Sequence, residues 1–304
     1  MFIKNALNIK NSILRYALGI FVIFIFTQIG AIPFIVAIFN KVGVEGAAKL
    51  DPSNMMTILE NSNLTFFYTL LSFFVGFVGF LFVIKFIHNQ SFLSVTTSRK
   101  SIDYKRILTS FSAISAFIIL STTISFFISP EEYVLQFNLN DFLILVLIAI
   151  IFIPIQTSLE EYVFRGYLMQ GLGVLFNNKF IPLILTSLSF GFLHFYNPEI
   201  MKLGSVLLVH YIATGLFLGI ITLMDDGIEL ALGFHAGNNL LIALIVTADW
   251  TVFQTTSIFK YIGEPDLISQ SFFTMIVVYP ILLLYFSRKY KWGSWKDKLS
   301  GKVN

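Results

Sequence analysis

Three ionisable residues lie within one apolar stretch in the second half of the chain: Glu160, Glu161 and Arg165. On a helix, Glu161 and Arg165 are four residues apart with the acid first, which favours a salt bridge. Glu160 points about 100° away around the helix, so we expect it to lack a partner in its own turn and to be free to act as a base. Alternatively, all three charges lie at an interfacial helix end and extend to water. Apolar residues at 151–155 and 168–176 favour burial.

Two histidines and an asparagine lie in later apolar stretches. His194 ends the sequence Phe-Gly-Phe-Leu-His, and Asn239 follows His235 by four residues, so that His235 and Asn239 share one helix face. A lone histidine or asparagine in a membrane span more often bonds a neighbouring helix than catalyses a reaction. His210 has no companion of this kind, and we interpret it as structural.

Counting residues from the polar turns predicts how deep these side chains lie. Glu160 lies 17 residues before Asn177, and His194 lies 16 residues after Asn178. If the chain turns there between two antiparallel helices, Glu160 and His194 both lie about 24–26 Å from the turn. The second histidine and the asparagine would lie roughly 12–20 Å from the next turn on the same side, at 226–227. The depths agree loosely, and a bent or tilted helix would reconcile them in one buried cavity.

Such a cavity is suited to hydrolysis of an amide by an activated water. Glu160 and His194 could share a water and remove its proton. His235 and Asn239 could donate hydrogen bonds to the oxyanion that forms when the water attacks a carbonyl. Glu160, His194 and His235 also match the ligand set of a catalytic zinc site, so Zn²⁺ is an alternative. Asparagine is a poor zinc ligand, and we therefore favour a mechanism that requires no cofactor.

The composition indicates that membrane helices position these residues. Of the 304 residues, 56% are hydrophobic and 12% charged, and the mean hydropathy is +0.82, whereas soluble domains are roughly 25% charged. A span needs about 20 mostly apolar residues. Eight stretches qualify: Ile13–Phe39, Thr65–Phe86, Ile107–Ile128, Phe142–Phe176, Phe180–Phe195, Leu203–Met224, Ile228–Val246 and Phe272–Phe286. We predict an all-α polytopic membrane bundle of about eight transmembrane helices, forming a single integral-membrane domain over 1–304.

Within this domain we predict a catalytic core at 145–245, which follows an N-terminal three-span portion at 1–130. The fourth apolar stretch is too long for one simple span and contains Gln156, and the fifth is short. Two pairs of glycines at small-xxx-small spacing predict close helix packing: Gly215 with Gly219, and Gly233 with Gly237.

Charge and cysteine content narrow the location and the function. With the N-terminus in the cytoplasm, 15 Lys and Arg residues fall on the cytoplasmic side and 4 on the other, as the positive-inside rule requires. We predict a bacterial plasma-membrane protein with cytoplasmic N- and C-termini. The absence of cysteine excludes disulfides, thiolate zinc sites and a cysteine nucleophile. No basic patch is interleaved with exposed aromatic residues, so we expect no nucleic-acid partner. The sequence does not determine the oligomeric state.

Taken together, the motifs resemble those of a known family. They are similar to the three motifs of the CPBP family, which includes the CAAX prenyl endopeptidases and the bacteriocin-processing or immunity (Abi) proteins. The residues are Glu160-Glu161-x-x-x-Arg165, Phe190-x-x-x-His194 and His235-x-x-x-Asn239. The resemblance covers about 145–245.

The resemblance implies an α-helical intramembrane protease. Glu160 would be the water-activating base with His194, while His235 and Asn239 would stabilise the oxyanion. Glu161 and Arg165 would be structural or orienting. The family is usually labelled metalloprotease, with a glutamate-dependent mechanism as the alternative. Eukaryotic members cleave substrates presented from the cytosol, whereas the turn counts place Glu160 nearer the outer leaflet. Either the fourth helix bends or the charge-based orientation is wrong in the second half.

We therefore predict an intramembrane endopeptidase that contacts the lipid bilayer and hydrolyses a membrane-associated or lipidated protein or peptide. The alternative is a non-catalytic membrane immunity or scaffold protein that binds a peptide or a partner protein in the same cavity. A transporter would use similar residues but would more naturally show inverted repeats. The intramembrane ionisable residues all lie in one half of this chain, which argues against a transporter.

Overall fold

The structure is a computed structural model that describes residues 2–49, 57–264 and 267–303. Met1 and Asn304, the terminal residues to which the predicted cytoplasmic location refers, lie outside the described residues.

The described chain folds mainly into helices, because its long apolar runs contain few residues that end a helix. The α-helices are α1 (Ile13–Ala48), α2 (Ser62–Phe82), α3 (Phe92–Thr96), α4 (Tyr104–Ile128), α5 (Leu139–Glu161), α6 (Met169–Phe176), α7 (Phe180–Leu193), α8 (Pro198–Leu203), α9 (Leu207–Asp225), α10 (Glu229–Ile245), α11 (Leu267–Phe273), α12 (Tyr279–Lys289) and α13 (Trp295–Ser300). Short 3₁₀ helices occupy Phe2–Asn8 and Pro130–Glu132. Wider π-helical segments occupy Val83–Ile87, Tyr162–Leu168 and Thr274–Val278.

This architecture confirms the polytopic helical membrane bundle. Six helical segments of the described chain are long and apolar enough to cross a membrane, and α7 and α10 are shorter apolar helices. The predicted fourth stretch is one helical segment of 38 residues, Leu139–Phe176, in which α5, a π-helical segment and α6 follow one another without a break. The short fifth stretch is α7, which has 14 residues and ends just before His194.

Buried acids join several helix ends at one end of the bundle, which we call the polar end. Asp225, the last residue of α9, accepts a hydrogen bond of 2.8 Å from Arg99 and contacts Arg106 of α4. Glu229, the first residue of α10, accepts from the same Arg99 at 3.1 Å. Because a buried carboxylate is stable only when paired, these contacts hold the end of α9 against the beginnings of α4 and α10.

A small sheet lies at the opposite end of α4 and α10. It consists of β1 (Tyr133–Leu135), β2 (Val246–Thr247) and β3 (Phe259–Tyr261) in the order β1-β3-β2. Tyr133 pairs with Tyr261 in the antiparallel ladder, and Val246 pairs with Phe259 in the parallel one. The all-α prediction did not include this sheet, because strands of two or three residues are too short to give an alternating pattern.

The paired glycines allow helices to approach at backbone distance, as their spacing predicts. A Cβ atom on Gly233 of α10 would overlap the carbonyl oxygen of Ile107 on α4. A Cβ atom on Gly215 of α9 would lie 2.9 Å from the carbonyl oxygen of Ser187 on α7. Small residues permit such contacts between membrane helices. The close packing fixes the positions of α9 and α10, which line the candidate site.

Candidate active site

The end of α5 and the π-helical segment that follows it present the first motif. Glu160 and Glu161 are the last two residues of α5, and Arg165 lies within the π segment at Tyr162–Leu168. Segments with π geometry are rare and often occur at functional sites. All three charged side chains thus come from one short stretch of a continuous helical rod.

Glu161 and Arg165 form the predicted ion pair in the interior of the protein. Arg165 Nη1 donates to Glu161 Oε1 at 2.8 Å, and both side chains are 0% exposed. Arg165 Nη2 donates to the carbonyl oxygen of Gly215 at 3.3 Å, and the guanidinium lies 4.2 Å from the ring centroid of Phe190. The alternative in which all three charges extend to water is therefore wrong for this pair.

His235 completes this group from α10. Its Nδ1 lies 2.7 Å from Glu161 Oε1, the same oxygen that Arg165 contacts. A carboxylate oxygen accepts hydrogen bonds, so Nδ1 carries a proton and donates it. His235 Nε2 then faces Glu160 Oε2 at 3.6 Å. The predicted orienting role of Glu161 thus corresponds to a contact that fixes the ring of His235.

Glu160 has a hydrogen-bond partner one turn earlier on α5, which the prediction of no partner in its own turn did not include. Gln156 Nε2 donates to Glu160 Oε1 at 2.6 Å, and Asn239 Nδ2 donates to Gln156 Oε1 at 3.1 Å. The rule that places Glu160 on a different face from Arg165 places it on the face of Gln156, four residues earlier. Glu160 Oε2 is buried and has no hydrogen-bond partner. Oε1 of Glu160 is therefore held by a hydrogen bond, and Oε2 is available to accept one.

His194 approaches the site from the end of α7. Its Nδ1 lies 2.7 Å from the carbonyl oxygen of Phe190, so Nδ1 donates and Nε2 keeps a free lone pair. The Phe190 ring lies edge-on to the His235 ring, with centroids 6.0 Å apart. His194 also interacts electrostatically with Glu160. The structure thus brings the second motif next to the first and third.

His210 lies apart from this group. Its ring is stacked against Tyr279 at 6.4 Å and lies 5.9 Å from the ring of Tyr211. These aromatic contacts are those of a packed side chain, in keeping with the structural interpretation.

The site lies about two helical turns from the polar end. A Cβ on Gly166 would lie 3.0 Å from the carbonyl oxygen of Val95 in α3. α3 itself meets the start of α10, because Ile228 N donates to Thr96 O at 2.9 Å. Lys179, in the turn at 177–179, lines one small cavity with Asp226, in the turn before α10, so the two turns lie close together. The rod from Glu160 to Asn177 therefore does not run parallel to α10, and the 24–26 Å counted along it overestimates the depth of Glu160. Counted from the level of α3, the two acids and His235 lie about 8–11 Å deep.

Two donor atoms of this site suit a metal ion, and a third is not arranged with them. Glu160 Oε2 and His235 Nε2, 3.6 Å apart, could both reach one ion at about 2.0–2.2 Å. Among the residues that the structure describes, however, no group of three or more His, Cys, Asp or Glu side chains is arranged to hold a metal. His194, the third predicted ligand, donates from Nδ1 to a backbone carbonyl, which leaves Nε2 free and is also the usual arrangement of a metal-ligating histidine. The zinc alternative therefore stays a prediction.

Sequence reasoning missed two groups of residues. Gln156 links Glu160 to Asn239, and the available signal was a buried amide four residues before a candidate base. Tyr211 stacks on His194 with ring centroids 4.1 Å apart and an angle of 18°, and its hydroxyl contacts the buried Glu199. An intramembrane tyrosine and an acid in a short helix carry no spacing signal that distinguishes them from packed or solvated residues.

Comparison with known proteins shows which family the chain belongs to. The family profile described as type II CAAX prenyl endopeptidase Rce1-like matches residues 139–241. The uncharacterized protein YyaK of Bacillus subtilis (strain 168) is 32% identical over 256 residues, which cover 78% of this chain and 85% of that protein. This chain belongs to the CPBP family of CAAX-protease-like membrane proteins. The CPBP match spans every motif residue from Glu160 to Asn239. No solved structure matches the chain.

Proposed function

We propose that this CPBP-family protein is an intramembrane endopeptidase that hydrolyses peptide bonds of a membrane-associated or lipidated protein. The observation that carries the proposal is the state of the Glu160 carboxylate. Gln156 holds its Oε1 at 2.6 Å, while its buried Oε2 has no hydrogen-bond partner and faces His235 Nε2. A fixed carboxylate with one unoccupied oxygen is suited to take a proton from a water.

In the proposed reaction, a water lies between Glu160 Oε2 and His194 Nε2. Glu160 takes one proton as the water oxygen attacks the scissile carbonyl carbon, and His194 orients the second hydrogen. The tetrahedral intermediate then collapses, the C–N bond breaks, and Glu160 returns the proton to the leaving amine. The proton that Glu160 takes from the water is thus the one that it returns to the leaving amine.

The oxyanion of the intermediate requires hydrogen-bond donors. A second proton on His235 would make Nε2 a donor, and Glu161 stabilises that cation through Nδ1. With His235 charged, the two negative charges of the glutamates balance the two positive charges of Arg165 and His235. This balance lowers the free-energy cost of burying these four side chains. Asn239 donates one amide hydrogen to Gln156 and keeps the other for the oxyanion.

The test compares cells that express the wild-type protein or Glu160→Gln at matched levels. Protein N- and C-termini in membrane and secreted fractions are quantified, with and without a membrane-permeant chelator. We expect new termini that disappear in Glu160→Gln, because the amide keeps the volume but loses the base, a loss of about 10²–10⁴-fold. We also expect the termini to persist with the chelator, since the proposed mechanism needs no cofactor. Glu131→Gln, the same change at an exposed residue, is the matched control.

Three outcomes decide between the candidates. Termini that depend on Glu160 and persist with chelator support the glutamate-type endopeptidase. Termini that depend on Glu160 but vanish with chelator would replace this mechanism by a zinc-dependent one. If both proteins insert stably and no terminus depends on Glu160, the endopeptidase proposal is wrong and the non-catalytic immunity or scaffold function takes its place.

A further inference from the structure

A buried acid lies beside His194 and has no role in the proposed reaction. Glu199, in α8, is 6% exposed. Its Oε1 accepts hydrogen bonds from the hydroxyl of Tyr211 and, at 3.1 Å, from Asn197 Nδ2. Its Oε2 is buried without a hydrogen-bond partner. Both donors to this carboxylate are neutral.

One aromatic side chain, that of Tyr211, lies between Glu199 and His194. The Tyr211 hydroxyl contacts Glu199 while the Tyr211 ring stacks on His194. Glu199 is thus separated from His194 by the width of one tyrosine side chain. A substrate whose scissile bond lies at Glu160 and His194 would therefore have a neighbouring side chain within reach of Glu199.

The environment of Glu199 differs from that of the other buried acid of the site. Glu161 is paired with the guanidinium of Arg165 and with His235, whereas Glu199 has only an amide and a phenol as donors. A buried carboxylate without a cation is costly, and its charge is best compensated by a cation that is hydrogen-bonded to it. The open Oε2 is the position where a cation from outside the chain would bind.

The surroundings suit a long basic side chain. Phe192, Leu193, Phe195 and Tyr196 flank His194 and are 58%, 70%, 44% and 83% exposed. Lysine and arginine place their aliphatic stems along apolar surfaces and direct the charged group to a polar partner. The exposed apolar residues beside His194 and the buried carboxylate of Glu199 provide both parts.

We propose that Glu199, Asn197 and Tyr211 form a substrate subsite that binds a lysine or arginine side chain close to the scissile bond. This inference rests on the proposed endopeptidase function. A charged hydrogen bond of this kind corresponds to a preference of about 10- to 100-fold for a basic residue over a neutral one.

The test uses the termini that depend on Glu160. Residues within four positions of the cleavage sites are compared with the proteome background, and we expect enrichment in Lys and Arg at one position. Peptides that span the best cleavage site, with Lys or with Gln at that position, are then cleaved by the purified full-length protein in liposomes. We expect the wild-type kcat/KM for the Lys peptide to be at least about tenfold higher, mainly through KM. In Glu199→Gln this ratio should fall to about one while cleavage of the Gln peptide persists. Glu131→Gln should keep the wild-type ratio.

The outcomes separate this inference from the function on which it rests. Glu160-dependent cleavage without a basic preference, or with the same Lys-to-Gln ratio in Glu199→Gln, overturns the subsite alone. An equal loss of kcat on both peptides in Glu199→Gln would also overturn it and would make Glu199 a positioning residue for His194. If Glu199→Gln does not accumulate, Asn197→Ala must reduce the ratio instead, and an unchanged ratio there overturns the subsite. If the wild type cleaves nothing, both proposals are wrong.

Discussion

Glu161 and His235 are joined across α5 and α10 by a hydrogen bond of 2.7 Å between Oε1 and Nδ1. This bond gives the two adjacent glutamates different environments. Glu161 Oε1 is occupied by His235 and by Arg165, whereas Glu160 keeps a buried oxygen without a partner. Of two neighbouring acids in one helix, one is thus committed to the framework and the other is available for chemistry.

Gln156 should matter for rate more than for folding. In Gln156→Leu, Glu160 loses the donor to Oε1 and Asn239 loses its acceptor, so the base is no longer held in position. We expect kcat to fall about 10²-fold, since a small misplacement of a reacting group has an effect of this size. The rate is measured on a cleaved peptide in liposomes. Gln28→Leu, the same change at an exposed residue of α1, is the control, and a wild-type kcat in Gln156→Leu would contradict the positioning role.

Arg165 should be needed for the protein to accumulate. Arg165→Leu leaves the fully buried Glu161 without its guanidinium, and removing one partner of a buried ion pair costs about 3–5 kcal/mol. We expect low levels in membranes and a lower melting temperature in detergent. The double variant Glu161→Leu with Arg165→Leu should recover much of the stability without recovering activity. Arg288→Leu, at an exposed arginine, should leave the melting temperature unchanged. A stable Arg165→Leu protein would argue against a structural ion pair.

Gly233 should not tolerate a methyl group. Its position on α10 faces the backbone of Ile107 on α4, and an added Cβ would overlap that carbonyl oxygen. Overpacking of this kind costs typically about 1–3 kcal/mol, so Gly233→Ala should lower the melting temperature and reduce activity as His235 moves. Gly293→Ala, where a Cβ would meet no atom within 4 Å, should behave as the wild type. Equal melting temperatures for the two variants would refute the close contact.

Stability should fall at mildly acidic pH because of His88, which lies just beyond the end of the second span. Burial lowers the pKa of His88 from its usual value, and the Arg15 charge lowers it further, against hydrogen bonds with the backbone of Lys10 and Arg15. Its Nδ1 donates to Lys10 O at 2.7 Å, and its Nε2 accepts from the Tyr167 hydroxyl at 2.6 Å.

The sign of the effect follows from proton binding. The unfolded chain binds a proton on His88 near pH 6.5, while the folded chain stays neutral to lower pH, so stability is lost as the pH falls below about 6.5. The slope is at most about 1.4 kcal/mol per pH unit from this group. We expect the melting temperature to drop between pH 7.5 and 5.5, and to drop less in His88→Gln. An identical drop in both proteins would exclude His88 as the cause.

The absence of native cysteine makes the predicted topology directly testable. Single-cysteine variants Lys260→Cys, on β3, and Lys291→Cys, after α12, lie at opposite ends of the bundle. With the polar end in the cytoplasm, we expect a membrane-impermeant maleimide to label Lys260→Cys in intact cells. Lys291→Cys should react only after permeabilisation. The reverse pattern would invert the orientation, and equal labelling of both would show mixed insertion.

The sequence predicted the parts of this site that depend on spacing along one helix. The ion pair between Glu161 and Arg165 follows from four-residue spacing, and it is present. Gln156 obeys the same rule relative to Glu160, but a glutamine in an apolar run has many ordinary roles, so the spacing alone did not identify it. The count of about eight helices followed from hydropathy, because the length of an apolar run is a local property.

Contacts between helices were harder to predict. The depth of Glu160 was overestimated because the rod from Glu160 to Asn177 does not run parallel to α10, although the turns at 177–179 and 226–227 lie close together. That angle depends on how the rod packs against α3 and α10, which no local pattern in the sequence encodes. Tyr211 and Glu199 reach His194 through the return of the chain after α7, and their positions follow from tertiary packing rather than from spacing.

The π-helical segment Tyr162–Leu168 has a consequence for variation in chain length. A π turn holds about one residue more than an α turn, so it accommodates an extra residue without rotating the helix that follows. Loss of one residue could therefore be absorbed by a change from π to α geometry, and α6 would keep its orientation. If all the residues adopted α geometry instead, α6 would rotate by about 100° around its axis relative to Glu160. Gln170, which now accepts from Gln90 and donates to the backbone of Ser94, would then turn away from both. The π geometry thus sets the angular phase between the face of the rod that carries Glu160 and the face that anchors it.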